Sequence, residues 1–563
     1  MPIYEEYTGR HRDDFATLDD LMKNYRITYP DTFNFAYDVL DVIAKRTPDK
    51  KAMLWVSKDN ERRDFTFGDM SRLSNKAANF FRSVGIRKGD FVMLVLKRGY
   101  EFWYCMMGLH KLGAVAVQAT HLLTAKDYEY RINSAGIKMV VMTGDEQCTE
   151  HLDEALDRYE TLKLRAVTRG KKADGWIDFD SEFEKQSDVW TRPTGDEDTK
   201  VTDIMAMAFS SGTTGYPKMV WHDYSYPLGH LITGVFWHRV IDGGLHFTIS
   251  DTGWLKSLWG KMYGQWLGET AIFTYDFDKF SAADILSKIA EYKITTFCAP
   301  PTMYRFMIKE DFSTYDFSAL RHCTTAGEAL NPEVYSQWLR NTGLKIFEGF
   351  GQSETTLLCG TLYPWMQPRL GSMGLQTPGV NIVIVDEDGK ELPNGVNGEI
   401  CIQTGEEFGG KPLGVFRGYY RDEEGTKRAW HDGLYHTGDT AYRDETGFLW
   451  YVGRTDDVIK SSGYRIGPFE VESALMEHPS VTECAVTGVP DPDRGFAVKA
   501  TIVLSKGYIG TPELTRELQN HVKKVTAPYK YPRIIEYVEE LPKTISGKIR
   551  RVEIREKDNA QNN

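Results

Sequence analysis

The segment SSGTTGYPK at residues 210–218 constrains this chain more than any other, because glycines and hydroxyls crowd together directly after the apolar run IMAMAF at 204–209 and a lysine closes the stretch. A buried strand that breaks into such a loop presents successive backbone N–H groups, the hydroxyls of Ser210, Ser211, Thr213 and Thr214, the small Gly212 and Gly215, and the Lys218 ammonium. That donor set suits a polyphosphate. The common phosphate loop ends in Gly-Lys-Ser/Thr, whereas Pro217, Lys218 and Met219 stand here, so a cation ligand has to come from another segment. Taken alone, the stretch also admits the lesser reading of a flexible Ser/Gly connector.

At 563 residues the chain exceeds what one hydrophobic core supports, so two or more domains are expected. A net charge of −12 argues against nucleic acid as a partner, since phosphate-backbone binding needs clustered Lys and Arg. The seven cysteines are scattered, form no CxxC pair and read as reduced core residues rather than disulfides or zinc ligands. The first residues, MPIYEE, are polar and acidic, and no apolar run approaches the length of a membrane span. A soluble, cytoplasmic protein is the expectation.

Apolar runs and helical periodicity alternate from Phe91 onward: a strand to Leu96, a helix from Tyr100 to Leu112 stopped by Gly113, then strands at 114–117, 139–142, 204–209, 271–275 and 294–298, with a helix at 282–292. This alternation predicts layered α/β architecture. From about Val380 short strands with Gly and Asn turns predict a β-rich subdomain. Beyond the loop at 453–457 a fresh α+β unit begins, with helices at 470–476 and 512–525 and strands at 484–489 and 499–504, and residues 558–563 read as a frayed tail.

Three further segments carry chemistry. In EGFGQSET at 348–355, Glu354, with Ser353 beside it, offers oxygen ligands to a hard cation such as Mg²⁺, although the octet alone also suits a capped helix N-terminus. Asp439 in YHTGDT is placed to meet the hydroxyls of a ribose or merely to shape a turn, and Arg454 could add a ribose or phosphate contact. LPKTISGK at 541–548 is a Pro- and Gly-flanked segment that could swing Lys548 onto developing phosphate charge, or simply belong to a basic tail with Arg550 and Arg551.

In this order and at these separations, the segments resemble the adenylate-forming enzymes: acyl-CoA synthetases, luciferases and peptide-synthetase adenylation domains. The resemblance implies a large N-terminal domain over residues 1–455, made of two layered α/β subdomains and a β-rich one, and a small mobile C-terminal domain over 456–563. It implies attack of a carboxylate on the α-phosphate of ATP, then transfer of the acyl group to coenzyme A. On this pattern residues 210–218 hold the departing phosphates, with Lys218 and Arg465 near them. Ala326, Gly327, Glu328, Glu348, Gly349, Phe350, Gly351 and Gln352 face the adenine, Ser353 and Glu354 serve the metal, and Asp439 and Arg454 hold the ribose. Lys548 is the adenylation lysine, whose acetylation would stop the first step.

Asp456 falls on the family's hinge, Ser462, Gly463 and Tyr464 lie beside the pantetheine tunnel, and Arg494, Lys523 and Tyr531 are candidates for the coenzyme's nucleotide end. Glycine at 351, where acetyl-CoA synthetases carry tryptophan, points to the medium-chain acyl-CoA synthetases. Trp237, Trp254, Trp259 and Trp266, with Cys298, Gly327 and Gly351, would bound the acyl pocket, and aromatic bulk there implies a short, medium or branched acid. At least half of those tryptophans could equally be helix-packing residues. The family reading leaves open an aryl-acid ligase, a carrier-protein-loading enzyme and, in another class, a non-catalytic nucleotide sensor. A homo-oligomer is possible, and the expected partners are the acid, ATP, Mg²⁺ and CoA.

Overall fold

The computed structural model describes residues 2–170, 174–210, 216–405, 410–462, 464–543 and 548–562. Phe91–Val95 is a fully buried strand of apolar side chains, and the helix Glu101–Leu112 ends at Gly113, whose φ of 76° is the left-handed value a β-carbon resists. Val115–Gln118 and Ile137–Thr143 pair with this strand in parallel on its two sides. The seven-stranded sheet so built ends in Ile204–Ser210 and the antiparallel Lys218–Asp223.

A second, fourteen-stranded sheet changes character halfway. Lys51–Ser57, Leu245–Thr248, Ala271–Asp276, Thr296–Cys298, His322–Thr325 and Ile346–Phe350 run parallel. The path continues antiparallel through Cys359–Gly360, Ser372–Gln376, Leu449–Arg454, Leu434–Arg443, Gly398–Gln403 and Ile382–Val385. The β-rich segment expected after Val380 is therefore the antiparallel half of a sheet whose parallel half belongs to the α/β layers.

The C-terminal unit is a five-stranded sheet centred on Val481–Asp491 and Gly495–Leu504, with the helices Pro468–Met476 and Pro512–Val525 packed on it through Val471, Leu475, Leu514, Leu518 and Val522. The frayed tail expected at 558–563 is corrected here. Arg551–Asn562 is a helix docked by buried Ile554 and by Asp558, which pairs with Lys499. The cysteines are all free and buried. Among the described residues no helix is long and apolar enough to cross a membrane.

Behind the parallel half lies a group of buried histidines. The rings of His238 and His246 stack at 4.6 Å, and His322 Nε2 donates to the Trp237 carbonyl at 2.8 Å. Burial pushes His110, His246 and His322 down to about 3 and His222 to about 4, and it also lowers His230 and His238 well below the ordinary value. Each is neutral when folded and takes up a proton near pH 6.5 when unfolded, so stability is lost as pH falls from about 6.5 toward the folded values. Buried carboxylates raised by desolvation, Glu101 to about 7 and Glu348 to about 8, with Asp38, Glu354 and Asp439 also raised, act with the opposite sign but are fewer. The net expectation is a loss of stability between about pH 6.5 and 5, because the histidines outnumber the raised carboxylates. Thermal melts of the ligand-free protein across that window check it; a flat or rising melting temperature on acidification contradicts it.

Candidate active site

The strand Ile346–Phe350 is where the large sheet turns from parallel to antiparallel, with His322–Thr325 on one side and Cys359–Gly360 on the other. Ligands of open α/β sheets bind in the crevice beyond the carboxyl ends of the parallel strands. A cavity of about 990 Å³ opens there, lined by Glu348 to Glu354, by Gly327 and Glu328, and by the ends of the hairpin at Ser210 and Lys218. Ser210 and Lys218 face each other in register, so the strand after the glycine-rich segment returns antiparallel beside the strand before it. Ser211, Gly212, Thr213, Thr214 and Gly215 lie outside the described residues.

Lys218 Nζ sits 4.6 Å over the ring of Tyr419, whose hydroxyl donates to Glu354 Oε1 at 3.0 Å. Burial pushes the Glu354 carboxyl up, while Tyr419, Lys218 and Arg454 pull it back toward the charged form. A carboxylate oxygen on the cavity wall is the donor type a hard divalent ion takes, and the neighbouring Lys218 and Arg454 contribute by favouring its ionised form. Glu348 is raised to about 8 by burial against a single N–H donor, that of Leu330 at 3.1 Å, and is therefore mostly protonated at neutral pH.

Asp439 and Arg454 face each other across adjacent antiparallel strands, Arg454 Nη1 lying 3.2 Å from Asp439 Oδ2. Gln352 Nε2 donates to the same carboxylate at 2.5 Å and to the Thr437 carbonyl at 2.8 Å, and Tyr451 donates to Asp439 Oδ1 at 3.2 Å. Burial raises Asp439, with Arg454 the leading opposing influence, then Gln352 and Tyr451, and lastly Lys548. Lys548 comes from the C-terminal unit, is exposed, and lines the same cavity. The four segments that carry chemistry in the sequence thus meet at one place.

Other expected residues lie elsewhere. Arg465 is corrected: it pairs with Glu387 at 2.5 Å on the surface and does not line the cavity. Asp456 occupies the turn after Leu449–Arg454, 3.8 Å from Arg454 Nε. Of the coenzyme candidates, Gly463 lies outside the described residues, Ser462 donates its N–H to the Arg494 carbonyl, Tyr464 stacks on Tyr529 at 4.0 Å, and Lys523 sits over the ring of Tyr531. None of these lines the cavity.

Gly351 is exposed and lines the cavity, and a β-carbon there would collide with the Thr356 carbonyl. The aromatic neighbour is at Gly349, where a β-carbon would lie 2.7 Å from Trp237 Cζ2. Trp237 and Trp266 are both fully buried, Trp237 6.4 Å from Trp259 and Trp266 against Phe35 and Phe67, and none of the three lines the cavity. Trp254 is half-buried, its backbone N–H bonded to the Asp251 carbonyl. Cys298 is fully buried on its strand.

Sequence reasoning missed Tyr419, which enters through its bridge to Val220, and Lys256. Lys256 Nζ is buried with no hydrogen-bond partner among the described residues and sits 5.5 Å over the Trp259 ring. Burial lowers its pKa, Cys298 and Glu328 oppose the shift, and Lys548 adds to it. Nothing local in the sequence marks either residue.

Residues 40–420 match the AMP-binding enzyme family and residues 470–548 the AMP-binding enzyme C-terminal domain. The chain is similar to the mitochondrial acyl-coenzyme A synthetase ACSM3 of Mus musculus, 39% identical over 565 residues that cover 99% of this chain and 96% of that relative. It is also similar to the mitochondrial acyl-coenzyme A synthetase ACSM5 of Rattus norvegicus, 40% identical over 538 residues, covering 94% of this chain and 91% of that relative. Among solved structures, the anthranilate CoA ligase AuaEII in complex with anthranoyl-AMP superposes with a TM-score of 0.86 at 29% identity, covering 95% of this chain and 99% of that one. The cytoplasmic expectation is overturned, because these curated relatives are mitochondrial.

Proposed function

The chain belongs to the adenylate-forming family of AMP-binding enzymes and is an AMP-forming acid:CoA ligase of the medium-chain acyl-CoA synthetase type; from that premise we propose how its cavity works and which acid it takes. The observation that carries the reading is the convergence of Lys218, Glu354, Asp439 with Arg454, and Lys548 on one cavity although they lie far apart in the chain.

In the first step a carboxylate oxygen of the acid bonds to the α-phosphorus of ATP, and the bond to the departing pyrophosphate breaks. Lys218 at the mouth of the hairpin and Lys548 from the C-terminal unit neutralise charge on the phosphates as that bond opens. Asp439, held by Arg454, Gln352 and Tyr451, accepts from the ribose hydroxyls. Glu354 is the residue that would hold Mg²⁺, which when bound supplies charge neutralisation at the phosphates.

In the second step the thiol of coenzyme A bonds to the acyl carbon, AMP leaves as the C–O bond breaks, and the thiol proton passes to solvent. The hinge at Asp456, with the domain division placed there, and the set Ser462, Gly463, Tyr464, Arg494, Lys523 and Tyr531 on the C-terminal unit remain our assignment for this step. Acid-dependent exchange of pyrophosphate into ATP without CoA, with AMP released only when CoA is added, tests the two-step scheme. Acid-stimulated ATP cleavage to ADP contradicts it.

We take the acid to be short to medium in length or branched: Trp237 packs on Gly349, a residue of the cavity wall, with Trp259 6.4 Å beyond it, and this reading makes that aromatic bulk the end of the acyl pocket. Trp259 is half-buried, so its truncation is tolerated better than that of Trp237. Trp259→Ala is expected to raise the kcat/KM ratio of octanoate over butyrate by at least about tenfold, the worth of one or two methylenes seated in apolar space. An unchanged ratio would remove Trp259 from the acyl pocket.

A further inference from the structure

Lys548 belongs to a segment whose ends are tied together. Lys543 and Ile549 form an antiparallel bridge, and the Arg550 N–H donates to the Pro542 carbonyl at 2.8 Å. Residues 544–547 lie outside the described set, so the described anchors of the segment are this bridge and the side chains beside it.

On the far side of the bridge, Arg551 Nη2 meets both oxygens of Glu472 at 2.8 Å, a contact made wholly within the C-terminal unit. On the near side, Lys543 Nζ meets the two oxygens of Glu483 at 3.0 and 2.8 Å. Glu483 stands on the strand Val481–Asp491, next to buried Cys484, so its carboxylate is carried by a sheet and not by a loop.

Glu483 Oε1 also accepts from Arg305 Nη2 at 3.4 Å, and Arg305 lies on the helix Pro301–Met307 of the large unit. The same guanidinium places Nη1 3.1 Å from Met476 Sδ. That helix begins at the cavity, where Thr302 donates to Glu328 at 2.7 Å, and Arg305 itself is part of the cavity lining. The side chains of Arg305 and Glu483 are 21% and 12% exposed, shielded enough for their charges to be only partly screened.

Glu483 is thus the point where the foot of the lysine segment and the large unit share one carboxylate. If the C-terminal unit rotates, the Lys543 contact travels with it, whereas the Arg305 contact must break. We propose that Glu483 is a positioning residue for adenylation, clamping the Lys543 foot of the lysine segment to Arg305 so that Lys548 reaches the cavity while that contact stands. This rests on the reading above that Lys548 serves the first step and not the second.

The test measures the two half-reactions separately on the full chain, as acid-dependent pyrophosphate exchange and as thioester formation from a synthetic acyl-adenylate and CoA. Glu483→Gln and Arg305→Gln, which reach the same contact from opposite sides, are each expected to lower exchange about 10- to 50-fold through misplacement of the lysine. Both leave thioester formation within about twofold, since the contact is not used there. In a Lys548→Ala background neither change lowers exchange further, because two residues acting through one step are not additive.

Wild-type exchange in both variants, an equal fall in both half-reactions, or a further drop on top of Lys548→Ala would each overturn the proposal. If Lys548→Ala by itself exchanges at the wild-type rate, the reading of Lys548 fails first, and the two failures are told apart by that single variant.

Discussion

Lys548→Ala is expected to lower acid-dependent pyrophosphate exchange by about 10³-fold, the worth of one well-placed cation on a transition state that builds charge on phosphate. Thioester formation from preformed acyl-adenylate should change little. The asymmetry follows from placement: Lys548 lines the same cavity as Lys218, Glu354 and Asp439, while the candidate coenzyme residues lie on other parts of the C-terminal unit. Acetylation of Lys548 removes the same charge and should reproduce the split. Quenched-flow measurement of acyl-adenylate formation, beside single-turnover thioester formation, checks it. Equal loss in both steps would mean that the lysine supports the architecture and not the first reaction.

Glu354→Gln should reduce exchange by about 10²- to 10³-fold, on the scale of losing one electrostatic element of the site. The amide oxygen can still accept from Tyr419, so shape and hydrogen bonding survive while the charge is lost. Because burial raises this carboxyl, the divalent ion competes with a proton, and the ion's apparent affinity in the native enzyme should increase with pH. The variant should lose that pH dependence and melt no lower than wild type, since removing a desolvated charge relieves a cost. Native exchange by the Glu354→Gln variant at saturating Mg²⁺ would move the metal to another ligand.

Much of the site was legible because each motif couples a turn to a chemically distinctive side chain within a few residues. Asp439 and Arg454 were both readable, yet their facing across two strands depends on a register set by residues between them. Tyr419 was not readable: it reaches Glu354 only because the hairpin strand Lys218–Asp223 bridges to it across some two hundred residues. Lys256 was hidden for the same reason, its burial being a property of the packed segment and not of its neighbours in sequence.

The wrong expectations have physical causes too. Arg465 depends on the orientation of the C-terminal unit, which places it against Glu387. The tail looked polar enough to fray, but Asp558 has a buried partner in Lys499 and Ile554 fills the sheet surface beneath. Gly351 does line the cavity, but its glycine also serves the close approach of the Thr356 backbone, and the position packed on Trp237 is Gly349. Trp266, grouped with the pocket by sequence proximity, points its indole N–H to the Ala52 carbonyl in the core.

The most direct test of the account is CoA-dependent release of AMP and pyrophosphate by the purified chain across acetate, branched C4 and C5 acids, octanoate, palmitate and benzoate, with Lys548→Ala alongside. The account predicts an optimum at short to medium or branched acids, strict dependence of AMP release on CoA, and loss of turnover in the variant. Turnover of palmitate or benzoate equal to or above that of the short and medium acids, or AMP release indifferent to CoA, would contradict it.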